Sequence, residues 1–396
     1  MDLIGWVIFL VALLFSVMLH ETGHFVVAKR FGMMVTRYFI GFGPTIWSTW
    51  RGETEYGIKA LPIGGFVKIV GMHSLDDPDD PEDEVRSFRR QPAWKRIAVL
   101  SAGSFMHFVL AFLLIAGLAL GVGIENTTQL ATISPCVASS VSALDNGTCH
   151  PSDPESPSKL AGLQAGDTVT VFDGHPVSTW TQLQSVIQNA RAGSPASITV
   201  LRHGKLLTLH TTLSRISGRT GAYLGIGAVA FQAVSPLGAI NYAGTSIGQV
   251  LVGSAKALAA LPAALPKLFS KDRANTAAGQ VSSVVGAAEA TGYAVGANVG
   301  WQYKLSFIVL LIASLNIFVG AFNMLPLLPL DGGHIAVIIY ERIRAFFARL
   351  RGRPDPGLAN MAKLLPVSFS LFMIVVFFGV VLILADIVNP VNIAGG

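Results

Sequence analysis

Long apolar runs alternate along this chain with shorter charged or Gly/Pro-rich stretches. Four runs, 3–28, 97–124, 305–330 and 364–385, reach the roughly 20 mostly apolar residues that a membrane-crossing helix needs. After the first run the pattern changes to strand-like alternation. Thr45-Ile46-Trp47-Ser48-Thr49-Trp50, a turn at Arg51-Gly52, and Glu53-Thr54-Glu55-Tyr56-Gly57-Ile58 predict a β-hairpin. Gly41-Phe42-Gly43-Pro44 and Pro62-Ile63-Gly64-Gly65-Phe66-Val67 flank it. After the second run, about 133–158 is rich in Ser, Pro, Asn and Gly and reads as an irregular loop. Short strands follow, with a helix at 180–190 and strands at 197–202 and 206–213 around the turn His203-Gly204. Residues 233–300 are rich in Ala and Gly. Lys256, Pro262 and Pro266 break their one apolar stretch, which predicts amphipathic interface-lying helices and no fifth span.

Composition agrees with this reading. Of 396 residues, 52% are hydrophobic and 13% charged, about half the usual soluble share of roughly 25%. The chain is therefore a polytopic α-helical membrane protein with room for a soluble domain. The net charge of +5 is modest. Its basic residues gather beside apolar runs, so they read as topology signals and exclude a nucleic-acid surface. Lys29, Arg30 and Arg37 follow the first run; Arg86, Arg89, Arg90, Lys95 and Arg96 precede the second; Arg342, Arg344, Arg349, Arg351 and Arg353 follow the third. The positive-inside rule puts 29–96 and 331–363 in the cytoplasm, with both termini and 125–304 outside. A fifth span would put Asp331 on the wrong side. The first run lacks a basic leader, so it reads as retained. The acidic run 76–84, with Pro78 and Pro81, reads as a solvated linker. Cys136 and Cys149 both fall in the outer segment, where a disulfide and two free thiols are both open.

The candidate chemistry lies inside the first run. His20-Glu21-Thr22-Gly23-His24 places two histidines at i and i+4, on one helix face, where both can ligate one ion. Two neutral imidazoles suit zinc, and Glu21 between them can take a proton from a water activated by the metal. Ionisable groups within a membrane helix are costly and usually functional. Catalytic zinc typically takes a third protein ligand. The charge rule brings the end of the third run, with Asp331-Gly332-Gly333-His334, to the same membrane face as His20 and His24. Asp331 is that candidate, and Pro326 and Pro329 disrupt the helix before it. Asn323 is a candidate to hold a substrate carbonyl or unwound backbone. For Asn316, substrate binding and helix packing stand equal. In the second run Ala102-Gly103-Ser104 permits close helix approach. His107 there reads as a hydrogen-bonded packing residue or a contact to the active site.

His20-Glu21-Thr22-Gly23-His24, with Asn323-Met324-Leu325-Pro326-Leu327-Leu328-Pro329-Leu330-Asp331-Gly332-Gly333, resembles the site-2 protease family of intramembrane zinc metalloproteases. The stretch Ala161-Gly162-Leu163-Gln164-Ala165-Gly166-Asp167, followed by a strand and the Asp173-Gly174 turn, resembles a PDZ domain over 159–228. In such proteases this domain is often circularly permuted, which makes Tyr223-Leu224-Gly225-Ile226-Gly227 a late strand near its groove. The resemblance is closest to the bacterial branch with one extracytoplasmic PDZ region. It implies Zn2+, hydrolysis of peptide bonds within single-span membrane proteins, and anti-sigma factors as substrates after a first outer cut. The localisation implied is the bacterial cytoplasmic membrane, with the active site near the cytoplasmic side. Where the family often has A-G-P-x-x-N, this chain has Ala102-Gly103-Ser104-Phe105-Met106-His107, so no role is carried over for that asparagine.

The expected organisation is a first transmembrane helix (1–28), a cytoplasmic loop with a membrane-associated β-hairpin (29–96) and a second helix (97–124). An outer loop (125–158), the inserted PDZ domain (159–228) and interfacial helices (229–304) come next. A third helix carries Asp331 (305–334), then a cytoplasmic loop (335–363) and a fourth helix with tail (364–396). The hairpin edge, with Gly64 and Gly65, is a candidate substrate-binding site by strand addition; an ordinary soluble hairpin is the other reading. The PDZ groove either binds a peptide or only gates. The rival function is a catalytically inactive zinc-binding PDZ scaffold, which would tolerate loss of Glu21.

Overall fold

The computed structural model describes residues 3–72, 81–124, 127–137, 149, 151–216, 221–229, 231–270, 273, 283–296, 300–357, 359 and 361–389. Most of the acidic run and 138–148 of the expected irregular loop lie outside them. The chain forms two compact units, one of residues 1–116 with 240–396, the other of residues 117–239.

In the first unit, α1 (Leu3–Arg30) is the apolar N-terminal helix. Lys29 and Arg30 in its last turn suit the negative end of the helix dipole. Gly32, at φ +75°, lets the chain leave, while Met33 N–H bonds Ala28 O and Gly32 N–H bonds Lys29 O. This is the Schellman pattern, which needs a left-handed residue where only glycine is unstrained. Two long strands follow, β1 (Val35–Arg51) and β2 (Thr54–Ile69), joined through Gly52 at φ +63°. The sheet is larger than the expected hairpin, which forms only its outer part. Residues 37–40 pair with 65–68 in the antiparallel sense and also with 55–58, with residue numbers rising together. The glycine-rich flanks are thus inside the strands. Gly41 and Gly43, both at positive φ, mark where β1 bends.

α2 (Ala93–Gly121), α6 (Trp301–Asn323) and the Phe369–Val388 part of α8 (Met361–Val388) are, with α1, the four described helices long and apolar enough to span a membrane. Their bounds correct the expected ones by several residues. The third helix stops at Asn323, not Leu330. Asp331 instead opens a separate helix, α7 (Asp331–Leu350), where a loop was expected. α7 buries Ile335 and Ile338 in a cluster with Ala28, Met33, Val35, Ile69, Val99 and Leu100. The Arg96 guanidinium lies 2.8 Å from the Glu341 carboxylate, both about 6–7% exposed, and ties α2 to α7. Glu53, on the β-turn, accepts from Arg86 and Lys29. The Arg86 hydrogen bond above all, and Lys29 beyond it, outweigh burial and lower its carboxyl to about 2. The Ala/Gly-rich region forms one long helix, α4 (Pro236–Ala264), running through Lys256 and containing Pro262, and then α5 (Val284–Gly296).

The second unit is a small β-fold. A four-stranded sheet has the order β5-β4-β6-β7, with β4 (Thr168–Phe172), β5 (His175–Pro176), β6 (Pro195–Arg202) and β7 (Lys205–Thr212). Asp173-Gly174 and His203-Gly204 make its two-residue turns, all four at positive φ, as type I′ hairpins require. The amphipathic helix α3 (Trp180–Asn189) drops Leu183 and Ile187 onto Phe172, Ile198 and Val200. β3 (Leu130–Ile133) pairs with the late strand β8 (Ile226–Ala228). Asp167 is 1% exposed on its side chain and accepts two bonds of 2.7 Å from Arg202. Burial raises the Asp167 carboxyl, but Arg202 and the Gln164 N–H more than offset this and hold it below its usual range. Cys136 and Cys149 are joined in a disulfide.

Candidate metal centre

The site forms where α1, α2 and the start of α7 meet. His20 Nε2 and His24 Nε2 lie 3.1 Å apart. Asp331 Oδ2 is 3.3 Å from the first and 3.4 Å from the second. A tetrahedral ion with metal–nitrogen distances near 2.0–2.1 Å has ligand atoms about 3.3–3.4 Å apart, so this triangle matches one face of such a tetrahedron. His24 Nδ1 is 2.7 Å from the Val99 carbonyl, which can only accept. The ring is therefore protonated on Nδ1, and Nε2 carries a lone pair, the usual arrangement behind a metal-binding histidine. Asp331 Oδ2 is buried and has no hydrogen-bond partner. With both rings neutral and Nε2 of each unprotonated, the electron pairs converging at this spacing repel one another unless a cation sits among them. The donor set fits a divalent metal, and two imidazoles with one carboxylate fit zinc.

α2 makes room for this. A Cβ at Gly103 would collide with His24 Nε2 and lie 2.7–2.8 Å from Cε1 and Nδ1 of His20. Gly23, between the histidines, meets the Ala102 backbone in the same way. α7 enters as closely. Cβ atoms at Gly332 and Gly333 would collide with the backbone of Met324-Leu325 and of Leu327-Leu328. The two glycines therefore begin a helix against the preceding turn. Asp331 sits in the first turn of α7, where the helix dipole favours a carboxylate.

Glu21 points toward β2. Its Oε2 accepts from Val67 N–H at 3.1 Å. Gly65 is beside it, since a Cβ there would lie 3.7 Å from Glu21 Cγ. Gly64 faces the Phe42 ring instead. Thr22 and Tyr38, 2.8 Å apart through their hydroxyls, tie α1 to β1. Asn323 is the half-buried last residue of α6. Asn316 is buried, and its side chain is occupied. Oδ1 accepts from Ser16 Oγ and lies 2.8 Å from His107 Nδ1, while Nδ2 donates to Ile312 O. The His107 ring lies 5.0 Å from that of His20, but His107 is outside the three-residue donor cluster. Sequence reading missed Ser16, Gly103 as the seat of the imidazoles, and the Val99 carbonyl. Ser16 carried a usable signal, because it lies four residues before His20 on the same helix face.

The model of Peptidase family M50 matches residues 8–353. Zinc metalloprotease Rip1 of Mycobacterium tuberculosis is 37% identical over 409 residues, covering 98% of each chain. Rip1 of Mycolicibacterium smegmatis is 37% identical over 411 residues with the same coverage. A solved PDZ domain of an SdrC-like protein from Listeria monocytogenes aligns with 25% of this chain and 90% of its own. That match has 20% identity and a TM-score of 0.18, a likeness too slight to argue from. The chain belongs to peptidase family M50, and it is an intramembrane zinc metalloprotease.

Proposed function

We propose that His20, His24 and Asp331 hold the zinc ion and that Glu21 is the general base and acid. The observation that carries this is the triangle of three potential ligand atoms, 3.1–3.4 Å on a side, set among membrane-spanning helices next to Glu21. Zinc bound there supplies Lewis acidity toward the scissile carbonyl and lowers the pKa of water toward about 7. Glu21 takes a proton from the attacking water as its oxygen bonds the carbonyl carbon. It then returns the proton to the leaving nitrogen as the C–N bond breaks. Asn323 holds the substrate near its carbonyl. Asn316, already engaged with Ser16 and His107, serves the site by joining α6 to α1 and α2.

The substrate is a transmembrane segment of a single-span membrane protein, locally unwound. A hydrogen-bonded helix hides its amides, whereas an extended segment can add as a strand to β2. Val67 N–H already reaches Glu21, so the edge of β2 at Gly65 and Val67 presents main-chain groups next to the base. Residues 159–228, within the 117–239 unit, are a PDZ-type module outside the membrane. The support is a small sheet with one amphipathic helix across it and a late strand, Ile226–Ala228, returning to Leu130–Ile133. It admits substrates whose outer domain has been removed, with anti-sigma factors as the substrate class. Basic residues beside the spans support placing both termini outside and the site near the cytoplasmic face of a bacterial membrane. The test is purification in detergent with measurement of zinc content and cleavage of a model transmembrane substrate, for wild type and Glu21→Gln. Near-stoichiometric zinc in both, with cleavage by wild type alone, supports the reading. Equal cleavage removes Glu21 from its role.

A further inference from the structure

α7 has a second face that the metal centre does not use. Its buried side, with Ile335, Ile338, Glu341 and Ala345, packs onto the first unit. On the other side Ile339, Tyr340, Ile343, Phe346, Phe347 and Leu350 are 46–66% exposed. At 3.6 residues per turn they share one arc of roughly 120°. Arg342 and Arg349 border it on one side, Arg344 and Arg351 on the other. Arg342, Arg349 and Arg351 are exposed. Arg344 lies over the Tyr340 ring and donates to the carbonyls of Pro356 and Gly357. Six large apolar side chains in one patch are uncommon on a surface that faces water. An apolar arc with cations along both borders has the form of a helix lying in a membrane interface, its arginine stems along the acyl boundary and its guanidinium groups at lipid phosphates.

The position of α7 supports the same occupant. Only residues 324–330 separate it from the end of the spanning helix α6. Its buried side shares a cluster with Ala28 in the last turns of α1 and with Phe31 just beyond. Phe31 packs edge-on against the exposed Trp94, over which Lys95 lies, at the start of α2. Aromatic rings with a neighbouring cation are the usual mark of the headgroup level. We propose that α7 lies flat at that level, with its apolar arc among the acyl chains and Arg342, Arg349 and Arg351 on the phosphates of acidic lipids. The surface then steadies the helix whose first residue is Asp331. This inference is independent of whether the site cleaves.

The test uses the full-length protein in vesicles. Cys136 and Cys149 are bonded to each other, so a single added cysteine takes a nitroxide label. Ile343→Cys, Phe347→Cys and Leu350→Cys are compared with Arg342→Cys and Arg349→Cys for collision with oxygen and with a water-soluble nickel chelate. The expected result is preferential oxygen access and nearly equal depth at 343, 347 and 350, with nickel access at 342 and 349. Depth changing steadily from 343 to 350 would mean a crossing helix. Nickel access at all five would mean a solvated one, and protection from both reagents a protein partner; each overturns the proposal. Labels at 343 and 347 should also sit deeper when phosphatidylglycerol is added to phosphatidylcholine. Replacing Arg342, Arg349 and Arg351 with Gln should abolish that shift. Equal depth in both lipids for the arginine-bearing protein rules out acidic headgroups.

Discussion

Gly103→Ala adds one methyl group where two rings meet. The methyl would collide with His24 Nε2 and stand 2.7–2.8 Å from two atoms of the His20 ring. The His24 ring cannot swing clear cheaply, because its Nδ1 is bonded to the Val99 carbonyl, one helical turn before Gly103 on α2. Two effects oppose each other. Alanine is the better helix former by about 1 kcal/mol. Overpacking at a tight contact costs about 1–3 kcal/mol, and disturbing the orientation of a metal ligand typically costs 10–100-fold in affinity. Helix stability should therefore change little while zinc binding weakens at least about tenfold, or roughly 1.4 kcal/mol. Chelator competition on purified protein reads the affinity, and a thermal melt in the same detergent reads stability. Gly117→Ala and Gly121→Ala are the controls, since a Cβ at either position meets nothing within 4 Å. Both should hold zinc as wild type does. If Gly103→Ala also binds zinc with unchanged affinity, α2 does not seat the imidazoles as described.

Glu21→Gln should keep zinc and lose about 10²–10⁴-fold in cleavage rate, measured in single turnovers. Asp331→Ala should lose both zinc and cleavage, so metal analysis separates the two variants. Arg96→Met leaves Glu341 as an unpaired buried carboxylate and should cost about 3 kcal/mol in a denaturation series, with Arg96→Met/Glu341→Met recovering most of it. Asp167 is lowered in the folded unit, so its contribution is complete above the unfolded pKa near 3.9 and fades as pH falls below that value. Amide protection over 167–202 in the full chain, taken relative to the intrinsic exchange rate at each pH, should therefore fall on acidification below about pH 4, and Asp167→Asn should flatten that dependence.

Much of this site was legible because its chemistry is local. The i, i+4 spacing of His20 and His24 needs only a helix, and an uncharged run of residues ensures one. Asp331 was legible as a candidate ligand from charge topology, but its setting was not. Two glycines after an aspartate give no sign of a helix start, because glycine is a poor helix former. Here the first turn of α7 lies against the backbone of Met324–Leu328, where any Cβ would collide, so packing overrides propensity. The sheet was underestimated for a related reason. Gly41, Gly43, Gly64 and Gly65 look like strand ends, yet they are where the strands bend and pack. The helical character of 331–350 was masked by its arginines, although Ile335, Ile338, Ile339 and Ile343 already had helical spacing.

The glycines also show how the candidate metal centre fits between membrane helices. Two imidazoles and a carboxylate within 3.4 Å of one another leave no space for a side chain from the helix that covers them. Lipid tails supply no hydrophobic force to press helices together, so the approach must come from the backbones themselves. Gly103 provides it at the imidazoles, Gly23 at the same crossing from α1, and Gly332 and Gly333 where α7 delivers Asp331. Gly5 against Gly292 repeats the device at the other end of α1, where α5 crosses. Two of the buried imidazoles are then satisfied in place: His24 by the Val99 carbonyl, and His107 by Asn316, which Ser16 also bonds. The candidate ligand set therefore depends on α2, which carries none of its residues. A chain with His20, Glu21, His24 and Asp331 but a bulky residue at 103 would keep the motif and lose the metal.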